Sequence, residues 1–160
     1  MSPTKTTTKK TKQELPPNPF VHEILELVSK QRSRAKKVEI LQKYEDLSLK
    51  TLFIWNFDDT VISMVPAGEV PYNPNEVPVG TDHTSLRKEY KHLFNFVRGG
   101  NDSLTSLRRE TMFIQMLEGL HPEEAKILCL VKDKALQSKY KLTYEVIKEA
   151  YPDINWGGRS

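Results

Sequence analysis

Residues 103–131 read SLTSLRRETMFIQMLEGLHPEEAKILCLV, and this stretch decides the fold class. Leu104, Leu107, Thr111, Ile114, Met116 and Leu117 recur near one face of a helix opened by Ser103. Gly119 weakens its end. Pro122 fits the first turn of the next helix, where Glu123 and Glu124 meet its positive end. Ile127, Leu128 and Val131 then form an inward stripe. Two helices in succession, with a short turn between them, set the pattern for the rest of the chain.

Upstream, Asp82 or Thr84 is expected to cap a helix carrying Leu86, Tyr90, Leu93, Phe94 and Val97, stopped by Gly99-Gly100. Downstream, Thr143 opens a last helix through Val146, Ile147 and Ala150, ended by Pro152. In the first half, Phe20, Ile24, Leu27 and Val28 follow helical spacing. Ser33 either caps a second helix or interrupts one long one. Two helices, about 20–30 and 33–45, are expected. Ser48 or Leu49 begins a third segment through Leu52, Phe53 and Phe57, with Asp58 and Asp59 open as the start of a further turn. Residues 66–80 hold Pro66, Pro71, Pro74 and Pro78 with Gly68 and Gly80, and read as a long extended loop. Tyr72, Val77 and Val79 are placed to pin it to the core. The expected fold is all-α: a compact helical domain with a long Pro-rich loop and a disordered basic N-terminal tail. Its units are a flexible tail at 1–19, one helical domain at 20–154 and a flexible C-terminal tail at 155–160.

Charge is unevenly placed. The formal net charge is +3. Residues 1–19 carry Lys5, Lys9, Lys10 and Lys12 against Glu14, so the whole excess belongs to this Thr/Lys/Pro segment. Within the balanced remainder, residues 30–43 hold Lys30, Arg32, Arg34, Lys36, Lys37 and Lys43 against Glu39 alone. A convergent positive face of this kind can hold phosphates without any unique motif. Lys9, Lys10, Lys12, Arg32, Arg34, Lys36 and Lys37 are therefore the candidate polyanion-binding residues. A solvated helix face is the competing reading, and no helix-turn-helix or zinc finger supports base-specific contact.

The most distinctive local string is FIWNFDD, from Phe53 to Asp59. Its Trp55 and Phe57 are expected in the core. Trp156 lies beyond Pro152 in NWGGRS and is either folded back onto a groove or available to a partner. Tyr72 and Trp156 are the candidate partner-binding residues. No apolar run is long enough to span a membrane, and no apolar stretch follows the basic N-terminus, so neither a membrane helix nor a secretory signal is expected. Cys129 is the single cysteine and is expected as a small buried side chain; this suits a reducing compartment. His22, His83, His92 and His121 make no metal-binding spacing, and Asp58 and Asp59 diverge on a helix. No catalytic residue, metal or cofactor is expected, and the chain reads as a non-enzyme.

The order of several motifs resembles a family of small proteins from T4-like tailed phages, including cyanophages. They are AKKVEILQKYEDLSL at 35–49, FDD at 57–59, VPAGEVPYNPNE at 65–76, YKHLFNFVRGG at 90–100, RRETMFIQMLEGLHPEEAKIL at 108–128 and LTYEVIKEAYPDI at 142–154. The resemblance implies a phage origin and one shared domain. It transfers no catalytic residue. It points to a non-catalytic accessory protein that binds a phage or host protein in the host cytoplasm. Sequence-nonspecific DNA binding and a minor structural role in the virion are the alternatives.

Overall fold

The structure, a computed structural model, describes residues 15–78 and 83–157. Among them are eight α-helices, one 3-10 helix and no strand beyond two isolated bridges. The helices are α1 (Val21–Ser29), α2 (Arg34–Lys43), α3 (Leu47–Phe57), α4 (Leu86–Glu89), α5 (Ser106–Gly119), α6 (Pro122–Lys132), α7 (Gln137–Tyr140) and α8 (Tyr144–Ala150). The 3-10 helix, Tyr90–Phe96, continues directly from α4.

Helix boundaries follow local chemistry. Ser33 caps α2 by accepting from Lys36 N, which divides α1 from α2. Asp46 caps α3 through Ser48 N, and Thr143 caps α8 through Val146 N. Pro122 occupies the first position of α6, where a missing N–H costs nothing. Lys141 closes α7 in the left-handed region, with φ 52°.

The centre is α3 packed on α6. Leu49, Leu52, Phe53, Trp55 and Phe57 bury α3 nearly all round. Such a helix needs neighbours on every side. The α4/3-10 segment covers one side of it, while α1 and α5 pack on α6 and α2 bridges α1 to α8. The few buried polar groups on α3 are paired: Asn56 donates to Gln137 Oε1 and accepts from Leu136 N, joining α3 to α7. The Trp55 indole donates to Ser63 Oγ at 2.8 Å, and that hydroxyl donates to the Lys132 carbonyl.

Three expectations are corrected. The segment 86–97 is not one α-helix: it tightens to 3-10 geometry at Tyr90, which turns Phe94 out to 50% exposure while Leu93 and Phe96 are buried. A 3-10 turn eclipses residues three apart, so the stripe carried by 3.6-residue spacing is lost. The next helix begins after its cap Thr105, not at Ser103. Its buried stripe is Arg109, Phe113 and Leu117, whereas Leu107 is 77% exposed and Thr111 faces solvent. Arg109 is tolerated inside because its guanidinium donates to the Asn95, Asn101 and Leu104 carbonyls. The point left open at Asp58 resolves without a helix: Asp58 ends α3 in an extended conformation.

Residues 66–78 contain no helix or strand. Their course along α6 is fixed by side chains. The buried Lys132 ammonium donates to the Pro66 and Gly68 carbonyls and to Asp133 Oδ1. Asp133 accepts from Gly68 N, Glu118 accepts from Asn73 N, and His83 Nε2 lies 2.7 Å from the Asn75 carbonyl. Val79 and Asp82 lie outside the described residues.

Candidate functional site

An open groove of about 630 Å³ runs between residues 59–67, the start of α5 and the end of α6. One wall is the 62–64 segment, held by a bridge to 96–98: Met64 N donates to the Phe96 carbonyl and Arg98 N to the Ile62 carbonyl, both at 2.8 Å. This pairing keeps the segment extended. Ile62 and Met64 line the groove and remain 39% and 38% exposed. Leu107 stands exposed one residue from Ser106 of the groove wall. Asp59 and Glu110 supply the acidic margin. The two lysines at the far side are committed to structure: Lys132 as described, and Lys134 donating to the Trp55 and Asp58 carbonyls.

The basic residues of α2 do not converge on a single free face. Arg34 pairs with Glu149 at 2.7 Å and donates to the Glu145 carbonyl, fastening α2 to α8. Lys37 donates to the Lys141 carbonyl. Arg32 and Lys36 are exposed, Lys36 with Glu39 at 3.9 Å. Lys9, Lys10 and Lys12 lie outside the described residues. Tyr72 is half-buried against the core, and burial pushes its hydroxyl pKa up. Trp156 is also half-buried, edge-on to Tyr144 with ring centroids 5.2 Å apart. The adjacent Gly157 N donates to Asp58 Oδ2 at 2.6 Å. Neither candidate partner-binding residue lies in the groove.

A second constellation was not legible from spacing. Phe20, His22, His83 and His121 meet where α1 begins, α6 begins and the 83–85 segment passes between them. His22 stacks on His121 at 4.8 Å and 22°, and His83 lies 5.3 Å from His121. Phe20 flanks both His22 and His121. His121 Nδ1 accepts from Glu123 N and so caps α6, leaving Nε2 to carry the proton of the neutral ring. Nδ1 of His22 and of His83 is buried without a protein hydrogen-bond partner. Burial lowers the pKa of His22 and of His121. Among the described residues no group of three His, Cys, Asp or Glu side chains has geometry suited to a metal ion.

Beneath the rings lies Glu124, fully buried. Its two carboxyl oxygens accept from Val21 N at 2.7 Å and Leu86 N at 2.8 Å, the first residues of α1 and α4. One side chain thus ties three helix starts together. Burial raises its pKa to about 7, against the two N–H donors and Arg87, which favour the charged form. Cys129 is half-buried, and its thiol pKa is raised by burial. That environment opposes thiolate chemistry. Among the described residues no helix is long and apolar enough to cross a membrane.

No curated protein and no solved structure matches the chain. A protein-family profile matches residues 24–138, which takes in the groove, Glu124 and the rings of His83 and His121. The chain therefore belongs to that family, the family of unknown function DUF6433.

Proposed function

We propose that this chain is a non-catalytic accessory protein that docks another protein through the groove at 59–67. The observation that carries the reading is the pair Ile62 and Met64, apolar side chains left exposed on an extended, hydrogen-bonded wall. Exposed apolar side chains gathered along a concavity are the usual mark of a protein contact, and burying them on association supplies the driving force. The acidic margin at Asp59 and Glu110 favours a partner segment that combines apolar and basic residues. The phage setting, in infection or assembly, rests on the order of the sequence motifs.

A sequence-nonspecific DNA role draws its support from the exposed Arg32 and Lys36. It is the weaker reading because Arg34 and Lys37 are engaged within the domain. One experiment separates the two. The full chain is recovered from infected cells with its partners, with and without nuclease, beside an Ile62→Asp/Met64→Asp variant. Groove docking predicts a nuclease-resistant partner that the double variant loses. Nuclease-sensitive recovery, unchanged by the groove variant and reduced when Arg32 and Lys36 are neutralised, would replace it with the DNA reading.

A further inference from the structure

Residues 60–65 read TVISMV, a run rich in β-branched side chains with no charge, glycine or proline. That composition suits a strand with a neighbour on each edge. Here one neighbour is present. Residues 96–98 pair with the segment through Met64 N and the Ile62 carbonyl. Extended backbone presents alternate residues to opposite edges, so the Ser63 N–H and C=O point away from 96–98. Neither takes part in a hydrogen bond among the described residues, nor do the Val61 C=O and Val65 N–H in the same phase. Residues 61–67 all line the groove, which therefore runs along this open edge.

We propose that the groove receives its partner by strand addition: an extended segment of the partner protein pairs main chain to main chain with the Ser63 edge, sets apolar side chains against Ile62 and Met64, and brings a basic side chain to Glu110. This rests on the groove-docking reading and specifies its occupant.

The edge is formed before anything binds. The Trp55 indole donates to Ser63 Oγ at 2.8 Å, and that hydroxyl donates to the Lys132 carbonyl at 2.6 Å. With Ser63 fixed from beneath and 96–98 holding its other edge, the ordering cost of pairing falls on the partner alone. The edge is also unguarded. Exposed edges are ordinarily blunted by lysine, proline or a bulge, and the first such residue here is Pro66, where the run ends.

Side chains set what the added strand must carry. Ile62 and Met64 stand two residues apart, share one face and are exposed. Partner residues opposite them lie on that same face, so apolar residues two apart are required. Glu110 is half-buried in the groove wall and has no hydrogen bond or ion pair among the described residues. The nearby lysines do not serve it: Lys132 is turned to the Pro66 and Gly68 carbonyls, and Lys134 to those of Trp55 and Asp58. A cation on the partner supplies the missing charge. A second copy of this chain fits less well, because TVISMV brings no basic residue to Glu110.

Amide and methyl resonances of the full, isotopically labelled chain test the pairing. The probe is an acetylated, amidated peptide alternating valine and threonine with one arginine. Two further forms are N-methylated on alternate amides, odd in one and even in the other. At about 1 mM the unmodified peptide should slow exchange of the Ser63 amide and shift the Ile62 and Met64 methyls. One methylated form should bind about tenfold more weakly and the other as the parent does, because only edge-facing amides donate. Glu110→Gln should weaken the arginine peptide several-fold and leave its glutamine counterpart unchanged. Equal binding of the two methylated forms, with the Ile62 and Met64 methyls still shifted, would overturn strand addition and leave groove docking standing. No response at 61–65 to the unmodified peptide would also overturn it, while loss of the cellular partner in the Ile62→Asp/Met64→Asp variant judges groove docking separately. Protection of Ser63 that grows with the concentration of the chain alone would assign the edge to a second copy and refute the proposal.

Discussion

Replacing Glu124 by alanine tests how the three helix starts are joined. The carboxylate is fully buried and accepts from Val21 N and Leu86 N. Alanine removes both acceptors at once. Each buried N–H left unsatisfied costs about 1–3 kcal/mol, so the loss at pH 5 should be about 2–6 kcal/mol. The charge contributes with a separate sign. Burial raises the carboxyl pKa from 4.5 to about 7, so the stabilising contribution is present below 4.5 and declines as pH rises through 7. That shift corresponds to about 3 kcal/mol of lost advantage by pH 8. The cost of Glu124→Ala should therefore shrink by about that amount between pH 5 and 8. Urea denaturation followed by fluorescence of the buried Trp55 measures it. A cost below about 0.5 kcal/mol at pH 5 would refute the three-way tie. A cost that grows with pH would show that the N–H donors outweigh burial and hold the group ionised.

The other predictions concern packing and surface charge. Leu117→Ala, at a fully buried position, should cost about 2–5 kcal/mol in chemical denaturation, while Leu107→Ala at the exposed face of the same helix should leave the midpoint unchanged. Gly100→Ala should destabilise by about 1–3 kcal/mol, since its Cβ would stand 1.8 Å from the Phe94 carbonyl oxygen and the backbone must move; an unchanged melting temperature would contradict that turn. Arg34→Ala breaks the exposed pair to Glu149 and should cost no more than about 1 kcal/mol, less at high salt; a larger, salt-insensitive loss would show the α2–α8 contact to be misjudged.

The helical class was legible because the strongest signals were redundant. In α6, Pro122, the two following acids and the stripe Ile127, Leu128 and Val131 all agree, and all three stripe residues are fully buried. Ser33 and Thr143 announced their caps for the same reason. In α5 the apolar pattern was ambiguous. Leu107, Thr111 and Ile114 compete with the face that carries Phe113 and Leu117, and the tie is broken by Arg109, a residue that hydrophobic spacing assigns outward. Its inward position depends on the carbonyls of the 95–104 turn, which no local pattern announces. The same limit explains Phe94, whose exposure follows from a switch of helix type.

The candidate sites were less legible, because each depends on residues far apart in the chain. Ile62 and Met64 stand just before Pro66 and Gly68, where no periodicity marks a surface. They become a wall only through the hydrogen bonds to Phe96 and Arg98. His22, His83 and His121 are separated by whole helices, and no spacing rule joins them. The signal within reach was Glu124. An acid at the third position of a helix ordinarily faces water and the positive helix end, yet here the inward stripe of Leu128 and Val131 extends back through it, one turn at a time. An acid on an apolar stripe requires buried donors, and the donors most often left over in a small helical domain are the first N–H groups of other helices. Followed through, that requirement places the starts of α1 and α4 beside the start of α6. His22, Ser85 and His121 stand at those starts, so the histidine seam follows from the acid beneath it.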